Sequence, residues 1–178
     1  TIRSPMAQDT YERLYYSGQT EPRVIANNNL STPFSIATDY FKLGIPAPTA
    51  APTVARSGSV VRYYVYTFVN SYGEEGPPSP IAGGTDVAAS PVGLSALEAA
   101  PADRKITAVR FYRTAVGTAG TAEFRYVLEA TWFSEAVNYD VGDFVIYSNV
   151  LYKCTGTHTA AAWNASHFTA GDDVADSA

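Results

Sequence analysis

The side chains of this chain best suited to chemistry carry rings, thiols and imidazoles, and most of them lie in its last third. Trp132, Tyr147, Tyr152 and Trp163 have faces that could stack on sugar rings. The competing reading makes them the core of a small unit, since a unit with so little chain must bury most of its rings. Cys154, His158 and His167, with Asp140 or Asp143, hold donor atoms suited to zinc. No paired-cysteine spacing frames them, so they read as a buried thiol and two surface imidazoles, and no metal is assigned. Paired carboxylates occur at Glu74-Glu75 and Asp172-Asp173. Adjacent strand residues point to opposite faces, so neither pair converges on one substrate. A glycosidase needs two carboxyls roughly 5–10 Å apart across a cleft, and these acids read as solvated turn residues. No Ser, His and Asp set sits in a nucleophile-elbow context. The expectation is no catalytic residue, no cofactor and no enzyme.

The elements that must position these residues read as strands. Of 178 residues, 46% are hydrophobic, only 16% are charged, and 13 Tyr and 8 Phe stand beside one Met. Aromatic and β-branched residues fit a half-buried pleated surface. Charge this sparse, below the usual quarter or so, suits a surface covered by neighbouring subunits. The net charge of −5 and 12 scattered basic residues speak against a nucleic-acid partner, which needs clustered Lys and Arg. Apolar runs are too short for the ~20 residues of a membrane-spanning helix, so no membrane insertion is expected. The N-terminus lacks the order of a secretory signal, and a lone Cys fits a reducing cytoplasm. Without a secretory route, Asn29-Leu30-Ser31 and Asn164-Ala165-Ser166 are chance matches to the glycosylation pattern. The ends, Thr1 and the polar stretch from Asp172 to Ala178, suggest a portion of a longer polypeptide.

Residues 1–45 show no sustained period. Tyr11, Leu14, Tyr15 and Tyr16 fit a turn of helix or an aromatic strand, and Asn27-Asn28-Asn29 signals a turn. Such a segment is an arm laid on a partner or an extended connector. Pro46, Pro48 and Pro52 make a stiff linker. Ser59 to Asn70 is nearly all β-branched or aromatic and demands a strand. Ser71 to Pro80, with its Gly and Pro, turns the chain. A short strand is expected among Val92, Leu94 and Leu97. Ile106–Arg113 and Phe124–Ala130 are strands joined by a hairpin loop at Gly117 and Gly120. From Tyr139 a small unit begins, with a tight hairpin at Ser148-Asn149 and a loop from Cys154 closed by Trp163 and Phe168.

Two resemblances follow from these residues. The run Tyr63 to Ser79 resembles the strand-and-corner segment of fibronectin type III-like domains. With Ile106–Arg113 and Phe124–Ala130 it is similar to repeats of phage tail and other virion structural proteins. Trp132, Tyr139, Gly142, Asp143, Val145, Tyr147, Leu151, Tyr152, Lys153, His158 and Trp163 resemble the pattern of small chitin-binding-like modules, with Phe168 where a second closing Trp usually stands. Together they imply an all-β fold: an extended N-terminal arm over 1–45, a fibronectin-like β-sandwich over 46–134 resuming at 170–178, and an inserted small β module over 135–169. They also imply a structural component of a bacteriophage virion, of the tail or an appendage, assembled in the host cytoplasm. Its partners would be copies of itself and other virion proteins. The alternatives are a carbohydrate-binding module for host-surface glycan and a capsid decoration protein. The module's glycan-stacking residues would be Trp132, Tyr147, Tyr152 and Trp163.

Overall fold

The computed structural model describes residues 2–3, 9–17, 20–26, 40–55, 61–83, 92–115 and 123–172. The chain is all-β. Among the described residues the strands are, in order, β1 (Ile2–Arg3), β2 (Leu14–Tyr16), β3 (Arg23–Ile25), β4 (Phe41–Lys42), β5 (Thr53–Val54), β6 (Tyr63–Asn70), β7 (Ala82–Gly83), β8 (Leu94–Ser95), β9 (Ile106–Thr114), β10 (Phe124–Trp132), β11 (Phe144–Tyr147), β12 (Val150–Cys154) and β13 (Phe168–Ala170). Among the described residues the helical turns are 3-10 segments at Ala102–Arg104 and Ala165–His167. No helix there is long and apolar enough to cross a membrane.

One sheet of seven strands dominates, in the order β13-β12-β11-β10-β9-β6-β7. Its centre is the pair of nine-residue strands β9 and β10 beside β6. In β6, side chains alternate between faces. Tyr64, Tyr66 and Phe68 enter the main core, each fully buried. Val109 and Phe111 of β9 and Leu128 and Ala130 of β10 face the same way. The segment carrying Val92, Leu94 and Leu97 closes over them as the second layer, with β8 paired to β5. Complete burial of each large side chain is worth about 1.5–3 kcal/mol, so the three β6 rings alone are a substantial part of the fold's stability.

Buried hydroxyls in this core need partners. Tyr66 Oη accepts from the Glu98 backbone N–H at 3.1 Å, and Tyr64 Oη donates to Asp172 Oδ2 at 3.1 Å. Asp172, only 1% exposed, also takes Arg113 Nη1 at 2.8 Å and the Val92 N–H at 2.9 Å. Asp172 is therefore a buried ion-pair partner, which corrects its reading as a solvated turn acid. Glu74 and Glu75 are engaged as well. Glu74 bonds Arg13 and Asn70, while Glu75 accepts from Thr67, Arg110 and Tyr112.

The stretch 1–45, read from the sequence as an arm or extended connector, holds β1 to β4 as a four-stranded antiparallel meander. Strand wins over helix at Leu14–Tyr16. The meander rests on its own chain's corner. Arg13 pairs with Glu74 at 2.6 Å, Tyr11 packs edge-on against Tyr72, and Arg104 donates to the carbonyls of Leu43 and Gly44. Just past the meander, Ile45 packs closely on the corner at Gly76, where a Cβ would sit 2.6 Å from Ile45 Cγ2 and force a shift. The turn expected at Asn27-Asn28-Asn29, the loop at Gly117 and Gly120, and Asp173 lie outside the described residues.

The three strands β11, β12 and β13 are not suspended from a loop. Thr131 and Trp132 at the end of β10 pair in parallel with Val145 and Ile146 of β11, so the large sheet continues into them. Residues 133–143 supply the crossover that a parallel neighbour requires. Ile146 and Leu151 belong to the main core, while Val145 and Cys154 face the other way into a second, smaller core. The sheet is thus the shared wall of both cores.

Candidate functional site

The second core begins with a strand alternation. Leu128, Ala130 and Trp132 lie on the main-core side of β10, so Phe133, the next residue, points to the opposite face. Its ring is the hub of the smaller core. It stacks on Tyr139 at 5.4 Å and meets Tyr147, Trp163 and Phe168 edge-to-face at 5.6, 5.1 and 5.9 Å.

The turn after Tyr139 explains the motif spacing. Gly142 has φ +108°, in the left-handed region that favours glycine, and donates its N–H to the Cys154 carbonyl. The Asp143 carboxylate closes the turn by accepting the Asp140 N–H at 2.8 Å. Val145 then enters the small core fully buried. The β11–β12 hairpin turns on Ser148 and Asn149, both at positive φ (48° and 63°), as the preferred two-residue turn demands. That turn fixes Tyr147 at the rim, on the same face as Val145.

Around Phe133 stands a column of three rings. Trp163 lies parallel to Tyr147 at 4.1 Å (8° between planes) and parallel to Phe168 at 4.3 Å (15°). Two rings this close to one centroid and this nearly parallel would interpenetrate if they shared a face. They therefore cover opposite faces of Trp163. Tyr152 adds an edge contact to Trp163 at 4.9 Å. At the inner end Phe168 is 7% exposed, backed by Tyr139 and His158. At the outer end Tyr147 is 36% exposed, with Trp163 behind it.

The four ring residues named by the sequence divide accordingly. Tyr147 and Trp163 come together in the column, and Tyr152 meets Trp163 edge-on from its side. Trp132 does not join them, because it packs against the main core on the other side of the sheet. Trp163 presents edges rather than a face. Phe133, the hub, was missed, although the alternation running through Trp132 already assigned it to the opposite side.

The titratable residues of this region form a compact group. Cys154 is fully buried, and its thiol donates to the Gly156 carbonyl at 3.2 Å. Burial pushes that thiol up, keeping it protonated and a poor nucleophile. His158 is buried, 2% exposed, and this corrects its reading as a surface imidazole. Its Nδ1 lies 3.1 Å from Nδ1 of His167. Among the described residues, no group of three or more His, Cys, Asp or Glu converges to hold a metal ion.

Comparison with known proteins bears on the same stretch. Residues 132–171 match the family model of carbohydrate-binding module family 5/12. The match spans the end of β10, both hairpin strands, the ring column and β13, and it concerns that module rather than the remainder of the chain. No curated protein and no solved structure matches this chain.

Proposed function

We propose that residues 132–171 are a carbohydrate-binding module whose platform is the outer face of Tyr147, held on a β-sandwich that serves as its carrier. The observation that carries this reading is the ring column, which ends in solvent on a single aromatic face. Trp163 acts from behind, fixing the tilt of Tyr147 so that ring order need not be purchased at binding. Tyr152 and the Trp163 edge border the platform. The ligand class that fits a flat aromatic face is the apolar face of a pyranose; the family match supports a carbohydrate, and the resemblance of the sequence to small chitin-binding-like modules favours chitin-type oligosaccharides or host-surface glycans with similar faces. The role is binding rather than catalysis: the carboxylates of Glu74, Glu75 and Asp172 are each engaged in bonds within the protein.

Titration with soluble chitin oligosaccharides, followed by NMR, tests this. Binding should shift Tyr147 and Trp163 resonances and leave Trp132 unmoved. Tyr147→Ala should weaken it at least about tenfold, or ~1.4 kcal/mol, with the rest of the spectrum retained. Binding that survives Tyr147→Ala unchanged, or no binding to any glycan on an array, would sink the proposal.

A second reading concerns the setting of the module. Sparse charge, 16% of residues, and exposed apolar side chains outside the module, Ile81 at 61% and Tyr126 at 57%, suit a subunit covered by neighbours. This favours a structural component of a phage virion, in the tail or on the capsid surface, that carries the module to the host. Sedimentation of the full-length protein tests it: a stable monomer that joins no virion protein would count against that setting.

A further inference from the structure

The loop that brings Trp163 and Phe168 into the column is closed by a relay of side chains whose protons can be placed one by one. His158 Nε2 lies 3.3 Å from the Ala161 carbonyl oxygen, which can only accept, so Nε2 carries the hydrogen. In a neutral imidazole Nδ1 is then bare and must accept. Its partner is Nδ1 of His167, which accordingly carries its own hydrogen. This leaves Nε2 of His167 bare, 3.3 Å from Nδ2 of Asn164, a donor. The orientation of Asn164 is fixed independently, because its Oδ1 accepts from the Ser166 N–H at 3.1 Å and Oγ at 2.8 Å, capping the 3-10 turn Ala165–His167. Each hydrogen bond in the relay is satisfied only when both imidazoles are neutral.

A single added proton breaks the pattern. Placed on Nδ1 of His158, it faces the N–H of His167. If His167 shifts its own hydrogen to Nε2, that hydrogen faces the Asn164 amide. Placed directly on Nε2 of His167, the proton meets the same amide. Relief comes when that exposed 3.3 Å contact opens, or when Asn164 turns over and releases its cap on Ser166. His158, 2% exposed, has no water shell to take the charge instead. The titratable groups on the elements packed around the pair are Tyr139, Asp140 and Asp143 before β11, and Lys153 and Cys154 on β12. Tyr139 uses its hydroxyl at Ser134, Asp143 is engaged in its turn, and Lys153 lies over Phe144 on the other face. Among the described residues no ion pair reaches either imidazole.

We propose that His158 and His167 form an acid-sensitive latch: neutral, they hold the loop 155–168 and with it Trp163 in the column; protonated, they release it. A loss of glycan on acidification follows if the glycan reading above is right, while the latch itself stands without it. Because the pair keeps all of its hydrogen bonds only while both imidazoles are neutral, acidification should loosen the loop they hold.

The test uses the full chain labelled with nitrogen-15. At pH 8 long-range spectra should show His158 as the Nε2–H form and His167 as the Nδ1–H form. Between pH 8 and 5 the Trp163 indole resonance should move, and Tm should fall by roughly 3–8 °C, the shift expected from one or two lost hydrogen bonds in a protein this size. Asn164→Asp keeps an oxygen to cap Ser166 and offers a carboxylate to protonated His167, so Tm at pH 5 should no longer lie below that at pH 8. Opposite tautomers, or a native Tm and Trp163 resonance unchanged from pH 8 to 5, would overturn the latch. Failure to bind chitin oligosaccharides at pH 7.5, with the tautomers and acid transition as described, would retire the glycan reading and leave the latch standing.

Discussion

On one side of β11 and β12, Ile146 and Leu151 join a core whose polar groups are closed by charge and hydrogen bonds from far along the chain. On the other, Val145 and Cys154 join a core closed by rings from within about forty residues. The first relies on Asp172, which reaches back to Tyr64, Val92 and Arg113. The second relies on Phe133, around which Tyr139, Tyr147, Trp163 and Phe168 arrange themselves. A large core can afford a buried ion pair, because much apolar burial surrounds it. A small core has little chain to enclose charge, and rings provide the most buried area per residue. The difference implies different modes of failure: abrupt where a charge loses its partner, graded where ring area is lost.

Asp172→Ala should break the first core hardest. It removes the carboxylate bonded to the Arg113 guanidinium, 6% exposed, and to the Tyr64 hydroxyl. Deleting one member of a buried pair costs about 3–5 kcal/mol, readable as a lower urea midpoint with unchanged slope. A loss below ~1 kcal/mol would mean that charge closure is not what holds this core. Alkali probes the same place. Burial first, and the Asp172 carboxylate second, push the Tyr64 phenol up to about 12. The unfolded chain gives up that proton near the ordinary value of about 10. The contribution is therefore intact below pH ~10 and is lost as pH rises through about 12.

Phe133→Ala should come next, at about 3 kcal/mol, toward the lower end for a Phe→Ala change because the ring is only partly buried. The comparison predicts where the damage appears: in hydrogen-exchange protection of β13 and the loop 155–168, with β6 and β9 spared. Uniform loss of protection across both cores would show that they unfold as one unit and that the contrast between them has no energetic meaning.

How much of this was legible follows the same division. The strand at Tyr63–Asn70 announces itself, because a run of β-branched and aromatic residues has no other comfortable home, and the Gly142–Asp143 turn is readable from residue types that few other local conformations use. Tyr147, Tyr152 and Trp163 were identifiable as a group for the same reason. Trp132 was drawn in by its type, although the period of two that buries Leu128 and Ala130 carries it to the main core. Asp172 was not legible at all. Whether an acid near a chain's polar end is solvated or buried depends on an arginine 59 residues away, and such pairings leave no local pattern. The meander in residues 1–45 was obscured differently: strands of two or three residues are too short to show a period, and their stability comes from packing on the corner at Tyr72 and Glu74.

The smallest effect sharpens the contrast, because it places charge at the surface of the same large sheet. Glu75, with its side chain 26% exposed, accepts from Thr67 Oγ1 at 2.6 Å, Tyr112 Oη at 2.6 Å and Arg110 Nη1 at 2.8 Å. Partial burial alone would push its carboxyl up, but the three donors outweigh it and hold the group below the usual carboxylate range. Its contribution is therefore present above the ordinary glutamate value near 4.3 and is lost as pH falls through the lower folded value. Glu75→Gln keeps the size and one acceptor oxygen while removing the charge, so about 1 kcal/mol should be lost. The mutant's stability deficit at pH 7 should narrow as the native protein is acidified below pH ~4. If the deficit matched that of Asp172→Ala, burial would not be what separates the two kinds of charge, and the abrupt failure expected of the main core would need another cause.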